Sequence, residues 1–164
     1  MKHLGAVAGG LAWLLATAAL CGCSSPSADD EAIAGATKLA RGDIERAARF
    51  VGYWSTSSAD AHANYELARK NLTQRMFVAR MTLLQSHFSE SVQTYDVTTT
   101  ERGGGDNGFG GGYTEKTVRM CARLTSRLSS TSPRVEISNL RCPPGLPDRG
   151  IGGPIDKVVP WKPH

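Results

Sequence analysis

Apolar residues recur at helical spacing in the chain beyond Pro26. Ser27 and Asp30 precede them with the spacing of a capping box, in which the first side chain caps a helix start. The spacing ends at the run from Gly52 to Trp54. The pattern therefore predicts a first amphipathic helix between these two points. Its apolar face contains Ile33, Ala40, Ile44, Ala47 and Val51.

A second helix is predicted after Ser57 and Asp60, which repeat the capping spacing. Apolar residues then follow at steps of three and four: Tyr65, Ala68, Leu72, Met76, Ala79 and Leu83. A further stripe lies nearly opposite: Phe77, Met81, Leu84 and Phe88. We expect a long second helix that runs to about Phe88, with its last turns buried on more than one face.

Beyond this helix the period changes from helical to alternating. The segment 91–100 is rich in Val, Thr and Tyr, and the segment 113–128 alternates in its middle, with Val118, Met120, Ala122 and Leu124 on one face. A third strand starts at Arg134. The sequence thus predicts an α+β fold, with two long amphipathic helices packed on a three-stranded antiparallel β-meander and a disordered Pro/Gly-rich tail.

The first residues have the anatomy of a secretory signal. A basic start at Lys2 is followed by an apolar run from Leu4 to Leu20 that contains no charge, and then by a small-residue exit. A permanent transmembrane helix is the alternative. The run is short for a bilayer span of about 20 residues, and a polar stretch follows it.

The residues Leu20, Cys21, Gly22 and Cys23 resemble the lipobox of bacterial lipoproteins. The resemblance implies cleavage before Cys23 and acyl chains on its thiol, which hold the mature protein on the extracytoplasmic face of a membrane. Two or more acyl chains give stable anchoring. Ser24 follows the cysteine where inner-membrane retention often uses Asp, so the outer membrane stays possible if the organism has one.

If Cys21 is removed and Cys23 is acylated, two cysteines remain, and outside the cytoplasm we expect Cys121 and Cys142 to form a disulfide. Placing them opposite each other in an antiparallel hairpin also places Arg127 opposite Glu136. The same register keeps the apolar residues of both strands on one face.

Four segments follow: a signal peptide (1–22), a short tether (23–28), a single α+β domain (29–142) and a flexible tail (143–164). The formal charge of +4 becomes +3 when Lys2 is lost, because every acidic residue lies after Cys23. Such a mild excess does not identify a partner, and nucleic acid is not expected outside the cell.

Motifs for catalysis are weak. The glycine cluster 103–112 lacks the Lys and the helix of a phosphate loop, and we interpret it as a flexible hairpin connection in which Phe109 is a possible partner contact. His62 and Glu66 have the i,i+4 spacing of metal ligands, but a solvated pair is the simpler interpretation. No cofactor or metal is expected. Trp54 and Trp161 are further possible partner contacts, with the core edge as the alternative.

We therefore expect a lipid-anchored envelope protein that acts as a non-catalytic binding or assembly module for an envelope protein or polymer. Two alternatives stay open. One is a pocket for a lipid or small apolar ligand, and the other is a metal-dependent hydrolase that uses His62 and Glu66.

Overall fold

The structure is a computed structural model that describes residues 26–56, 60–78, 80–106, 112–127, 134–150 and 153–162, with the backbone alone over 75–78. Two helices come first: α1 (Ala28–Trp54) and α2 (Ala61–Val78). Four strands follow: β1 (Met81–Ser89), β2 (Val92–Asp106), β3 (Tyr113–Arg127) and β4 (Val135–Asn139). Three short strands complete the described chain: β5 (Arg149–Gly150), β6 (Gly153–Pro154) and β7 (Lys157–Val159).

The main sheet has five strands in the order β1-β2-β3-β4, with β7 also paired to β3. The pairs β1 with β2, β2 with β3 and β3 with β4 are antiparallel, whereas β7 is parallel to β3, so the sheet is mixed. The prediction of a three-stranded antiparallel meander is therefore wrong. The broader α+β class is compatible with the observed arrangement of two helices and a sheet.

Helix α1 begins where the capping pattern predicts. The Ser27 hydroxyl oxygen accepts a hydrogen bond from the Asp30 amide at 3.1 Å, and three acidic residues in the first turn favour the positive end of the helix dipole. The helix does not end at Gly52 but continues through Trp54, because Phe50 and Trp54 pack against the core. The buried face is mostly alanine: Ala28, Ala32, Ala36, Ala40, Ile44, Ala47, Ala48 and Val51.

Helix α2 starts after Asp60, whose carboxylate accepts hydrogen bonds from the amides of His62 (2.8 Å) and Ala63 (3.2 Å). Ser57 lies outside the described residues. The helix ends at Val78, and the chain turns at Arg80, which has a φ of 63°. The prediction of a helix to Phe88 is wrong, because the residues from Met81 onward form β1.

The error at β1 has a clear physical cause. Met81 is buried and Leu83 and Phe88 are half-buried against the helices, so a strand uses the same apolar residues that the helical period had selected. The segment pairs with β2 along its whole length, which satisfies the backbone groups on that side of the strand, with one irregularity between Leu83 and Gln85.

Strands β2 and β3 form one long hairpin, whose inner face lies under the helices. Its pairs include Tyr95 with Leu124 and Val97 with Ala122, all buried. Part of the glycine cluster belongs to β2, so its interpretation as a connection is wrong over 103–106. Phe109 lies outside the described residues.

Two of these glycines allow the strand to touch α1 directly. A Cβ atom on Gly105 would lie 1.9 Å from the carbonyl oxygen of Ala28, and one on Gly103 would lie 2.2 Å from that of Ala32. Because neither the strand nor the helix has a large side chain here, the two backbones meet.

The disulfide between Cys121 and Cys142 is present, with its Cα atoms 5.3 Å apart. The register derived from it is wrong by two residues. Glu136 faces Thr125 instead of Arg127, and the amide of Leu140 donates to the carbonyl of Cys121 at 3.4 Å. A shift of two preserves the side-chain faces, so Val135 and Ile137 still point towards the helices.

The predicted disordered tail is also wrong for the residues that the structure describes. We call residues 143–150 and 153–162 the C-terminal strap. It crosses the outer face of the sheet, where the Arg119 guanidinium donates to the carbonyl of Pro147. At the edge of β3, the Thr117 amide donates to the Asp156 carboxylate at 2.7 Å. The strap then pairs with β3 through β7, which buries Val159.

A buried polar network fixes the junction of the two helices to the sheet. The Ser126 hydroxyl donates to that of Ser55 at 3.0 Å, and the Asn64 amide donates to the Ser55 carbonyl at 3.3 Å. The Gln93 amide donates to the Ala61 carbonyl at 3.2 Å, and the Tyr95 hydroxyl donates to Gln93 at 3.0 Å. Because these buried groups satisfy one another's hydrogen bonds, they fix the end of α1 and the start of α2 on the sheet.

Candidate functional site

The structure does not bring His62 and Glu66 together as a metal or catalytic pair. The Glu66 carboxylate accepts two hydrogen bonds from Arg69, at 2.8 and 3.1 Å. The His62 ring instead packs near the rings of Tyr65 and Phe88, with centroids 6.1 and 5.3 Å away. Among the described residues, no group of three or more His, Cys, Asp or Glu side chains is placed to hold a metal ion.

The two candidate tryptophans both pack at the edge of the core. Trp54 is half-buried at the end of α1, with ring centroids 6.0 Å from Phe50 and 5.2 Å from Tyr53. Trp161 is half-buried where the strap returns to the sheet. The aromatic ring that α1 presents to solvent is Tyr53, which is 68% exposed. Cys23 lies outside the described residues.

A pair of buried carboxyl groups connects α1 to β2. The Glu101 and Asp43 side chains are only 8% and 14% exposed, and they are hydrogen-bonded to each other. An arginine lies beside each acid: Arg80 is 3.9 Å from Glu101, and Arg46 is 2.8 Å from Asp43. These four side chains place an ionisable cluster at the interface between helix and sheet.

The environment raises the pKa of Glu101 from 4.5 to about 7. Burial is the largest cause, because it disfavours the charged carboxylate, and the hydrogen bond and negative charge of Asp43 act in the same direction. Arg80 and Arg46 lower this pKa, but by less. Sequence reasoning missed the pair. The alternation along β2 could have revealed Glu101, because this residue continues the series Tyr95, Val97 and Thr99 on the inner face of the strand.

A groove of about 480 Å³ separates the second half of α1 from β4. We call it the α1–β4 groove, and it is lined by Glu45, Ala48, Arg49, Gly52, Val135 and Ile137. The small residues Ala48 and Gly52 leave the space open, while the half-buried Val135 and Ile137 give it an apolar floor. Glu45 and Arg49 are exposed and add one charge of each sign.

The groove adjoins an open edge of the sheet. Because Leu140 donates its amide to Cys121, alternation along the strand directs the backbone groups of Val135 and Ile137 away from β3. Within the described part of the chain, no strand pairs with β4 on that side. Such an edge can accept another strand.

Among the described residues, large side chains pack between the helices and the sheet. Tyr95, Ile44, Met120 and Leu124 are fully buried there. The α1–β4 groove therefore lies outside this packed core.

Comparisons of the chain with protein-family models, with curated proteins and with solved structures found no match. Among the described residues, no helix combines the length and the apolar composition that a membrane crossing requires.

Proposed function

We propose that this protein is a lipid-anchored lipoprotein of the cell envelope, held on the extracytoplasmic face of a membrane by acyl chains on Cys23. Its domain acts as a non-catalytic binding or assembly module. The main support for the lipid anchor is the series Leu20, Cys21, Gly22 and Cys23, which ends an uncharged apolar run.

The disulfide between Cys121 and Cys142 supports this compartment. Disulfides persist in oxidising environments outside the cytoplasm and are rare inside it. With Cys21 removed, each of the three remaining cysteines has a chemical role, because Cys23 is acylated and the other two form the disulfide.

The distance along the chain between anchor and domain supports a function close to the membrane. Helix α1 begins at Ala28, only five residues after Cys23. A fully extended segment of this length spans at most about 18 Å. The domain would therefore stay beside the bilayer.

A binding role is supported by what the surface offers, namely the α1–β4 groove beside an open strand edge. An added strand gains hydrogen bonds from the edge, while alternate side chains enter the groove. This combination suits a protein partner better than a small polar substrate.

The anchor is tested by intact mass of the protein isolated from membranes of its host, with Cys23→Ser and Cys21→Ser as matched variants. We expect the wild type and Cys21→Ser to lack residues 1–22 and to carry a lipid-sized mass increment, because Cys21 leaves with the signal. Cys23→Ser should carry none. A wild-type protein that keeps its first residues or has no lipid would refute the anchoring.

A further inference from the structure

The α1–β4 groove combines three features that a protein partner would satisfy together. The backbone groups of Val135 and Ile137 point to an unpaired edge of the described sheet, and both side chains are only half-buried. Directly above them, Ala48 and Gly52 leave room for the side chains of an added strand. A partner strand would cover apolar surface and complete backbone hydrogen bonds in the same step.

The charges at this groove are self-complementary. Glu45 and Arg49 lie one helical turn apart, both exposed and both lining the groove. A two-fold axis perpendicular to the sheet makes the α1 helices of two copies run in opposite directions, so that Glu45 of each copy approaches Arg49 of the other. A surface with one charge of each sign along the helix direction thus matches a second copy of itself.

We propose that two copies of this chain associate through the α1–β4 groove, with β4 of one copy antiparallel to β4 of the other. The two five-stranded sheets then form one continuous sheet, and Glu45 and Arg49 pair across the axis. This inference rests on the proposed role as an assembly module and names the partner for it. It does not depend on the lipid at Cys23.

The arrangement is compatible with membrane attachment. A two-fold axis perpendicular to the joined sheet keeps both α1 helices on the same side of it. Both helix N-termini, and therefore both tethers, then lie in one layer and can reach the same bilayer.

The test is a charge swap measured by sedimentation velocity on the full mature protein in detergent, over a range of concentrations. Wild type is expected to show a monomer–dimer equilibrium. Glu45→Arg and Arg49→Glu should each weaken the dimer about tenfold, because each places two like-charged pairs across the axis. An equimolar mixture of these two variants should associate again, as a heterodimer, and so should the double swap in one chain.

Lys38→Glu is the matched control for Arg49→Glu, since it also replaces a positive charge by a negative one, on an exposed part of α1 outside the groove. It should leave the dimer unchanged. The recovery in the mixture also shows that each single variant is folded. A wild-type protein that stays monomeric, or a dimer that none of the swaps affects, would overturn the proposal. So would photo-crosslinking from position 48 in membranes that captures a different protein in place of a second copy.

Failure of this inference is distinguishable from failure of the anchor. Cys23→Ser should dimerise like wild type in the same assay, whereas its mass shows whether lipid was attached. A dimer that Cys23→Ser abolishes would contradict an interface built by the groove.

Discussion

At the scale of single residues, the buried site of Glu101 disfavours the charged form of its carboxyl group and so raises its pKa. The folded chain holds a proton on Glu101 up to about pH 7, whereas the unfolded chain releases it near pH 4.5. The unfolded state therefore binds fewer protons between these values. The free energy of unfolding should fall as the pH rises through this window, and should show no further change from this group above it.

Replacing Glu101 by Gln should remove most of that dependence. The amide keeps the shape and can still donate to Asp43, but it carries no charge, so we expect Glu101→Gln to be more stable than wild type at pH 8 by on the order of 1–3 kcal/mol. Urea unfolding at pH 4.5, 6 and 8 measures this. Glu136→Gln, which removes an exposed carboxylate from β4, should keep the wild-type profile. Parallel profiles for wild type and Glu101→Gln would contradict the assignment.

Residue patterns predicted some positions well and others poorly. The cap at Ser27 and the pairing of Cys121 with Cys142 could be predicted because each depends on local spacing or on elimination. The Glu101–Asp43 pair could not, since it joins a helix to a strand and forms only once these two elements pack. The turn at Arg80 was also missed, because no Gly or Pro marks the left-handed conformation there.

At the scale of elements, the contact between α1 and β2 depends on the absence of side chains. Gly103 and Gly105 meet the helix backbone at Ala32 and Ala28. Since a backbone cannot rotate away as a side chain can, an added methyl group must separate the two elements.

We therefore expect Gly105→Ala to destabilise the protein by about 1–3 kcal/mol or more. Gly112→Ala is the control, because its Cβ would have no atom within 4 Å. Thermal or urea unfolding of both variants gives the comparison. Equal stability of Gly105→Ala and Gly112→Ala would show that the helix does not lie on the strand in this way.

The spacing of apolar residues predicted α1 and β3, because each of these elements buries one face against a single partner layer. It failed at β1, where two overlapping stripes fitted a helix as well as a strand. Leu83 and Phe88 are half-buried in the strand, and the helical period had also placed them on buried faces, so the hydrogen bonds to β2 are what distinguish the observed strand. Those bonds are made with a distant segment and leave no local signal.

At the scale of the whole molecule, the C-terminal strap completes the fold on the outer face of the sheet. The disulfide at Cys142, the residue directly before the strap, fixes one end. At the other end, the Asn139 side chain accepts from the Lys162 amide at 2.8 Å and donates to the Lys162 carbonyl at 3.0 Å. The Pro and Gly content of this segment predicted disorder, but its structure comes from pairing with β3, which composition does not encode.

The strap can be tested through two adjacent valines of β7. Val159 is 7% exposed and packs in the core, whereas Val158 is 56% exposed. We expect Val159→Ala to lower the free energy of unfolding by about 2 kcal/mol and Val158→Ala to leave it almost unchanged. Chemical denaturation with the disulfide intact measures both. If the two variants prove equally stable, β7 does not contribute to the core.

The backbone contact between α1 and β2 also has an evolutionary consequence. Selection for the fold should tolerate substitution differently at neighbouring glycines. Gly103 and Gly105 face helix backbone, whereas a methyl group on Gly104 would meet the end of the Tyr113 side chain, which can move. Descendant sequences should therefore keep glycine at 103 and 105 and small residues at 28 and 32. They should substitute position 104 more freely, so that a period of two in substitution rate would be visible within an apparently uniform glycine run.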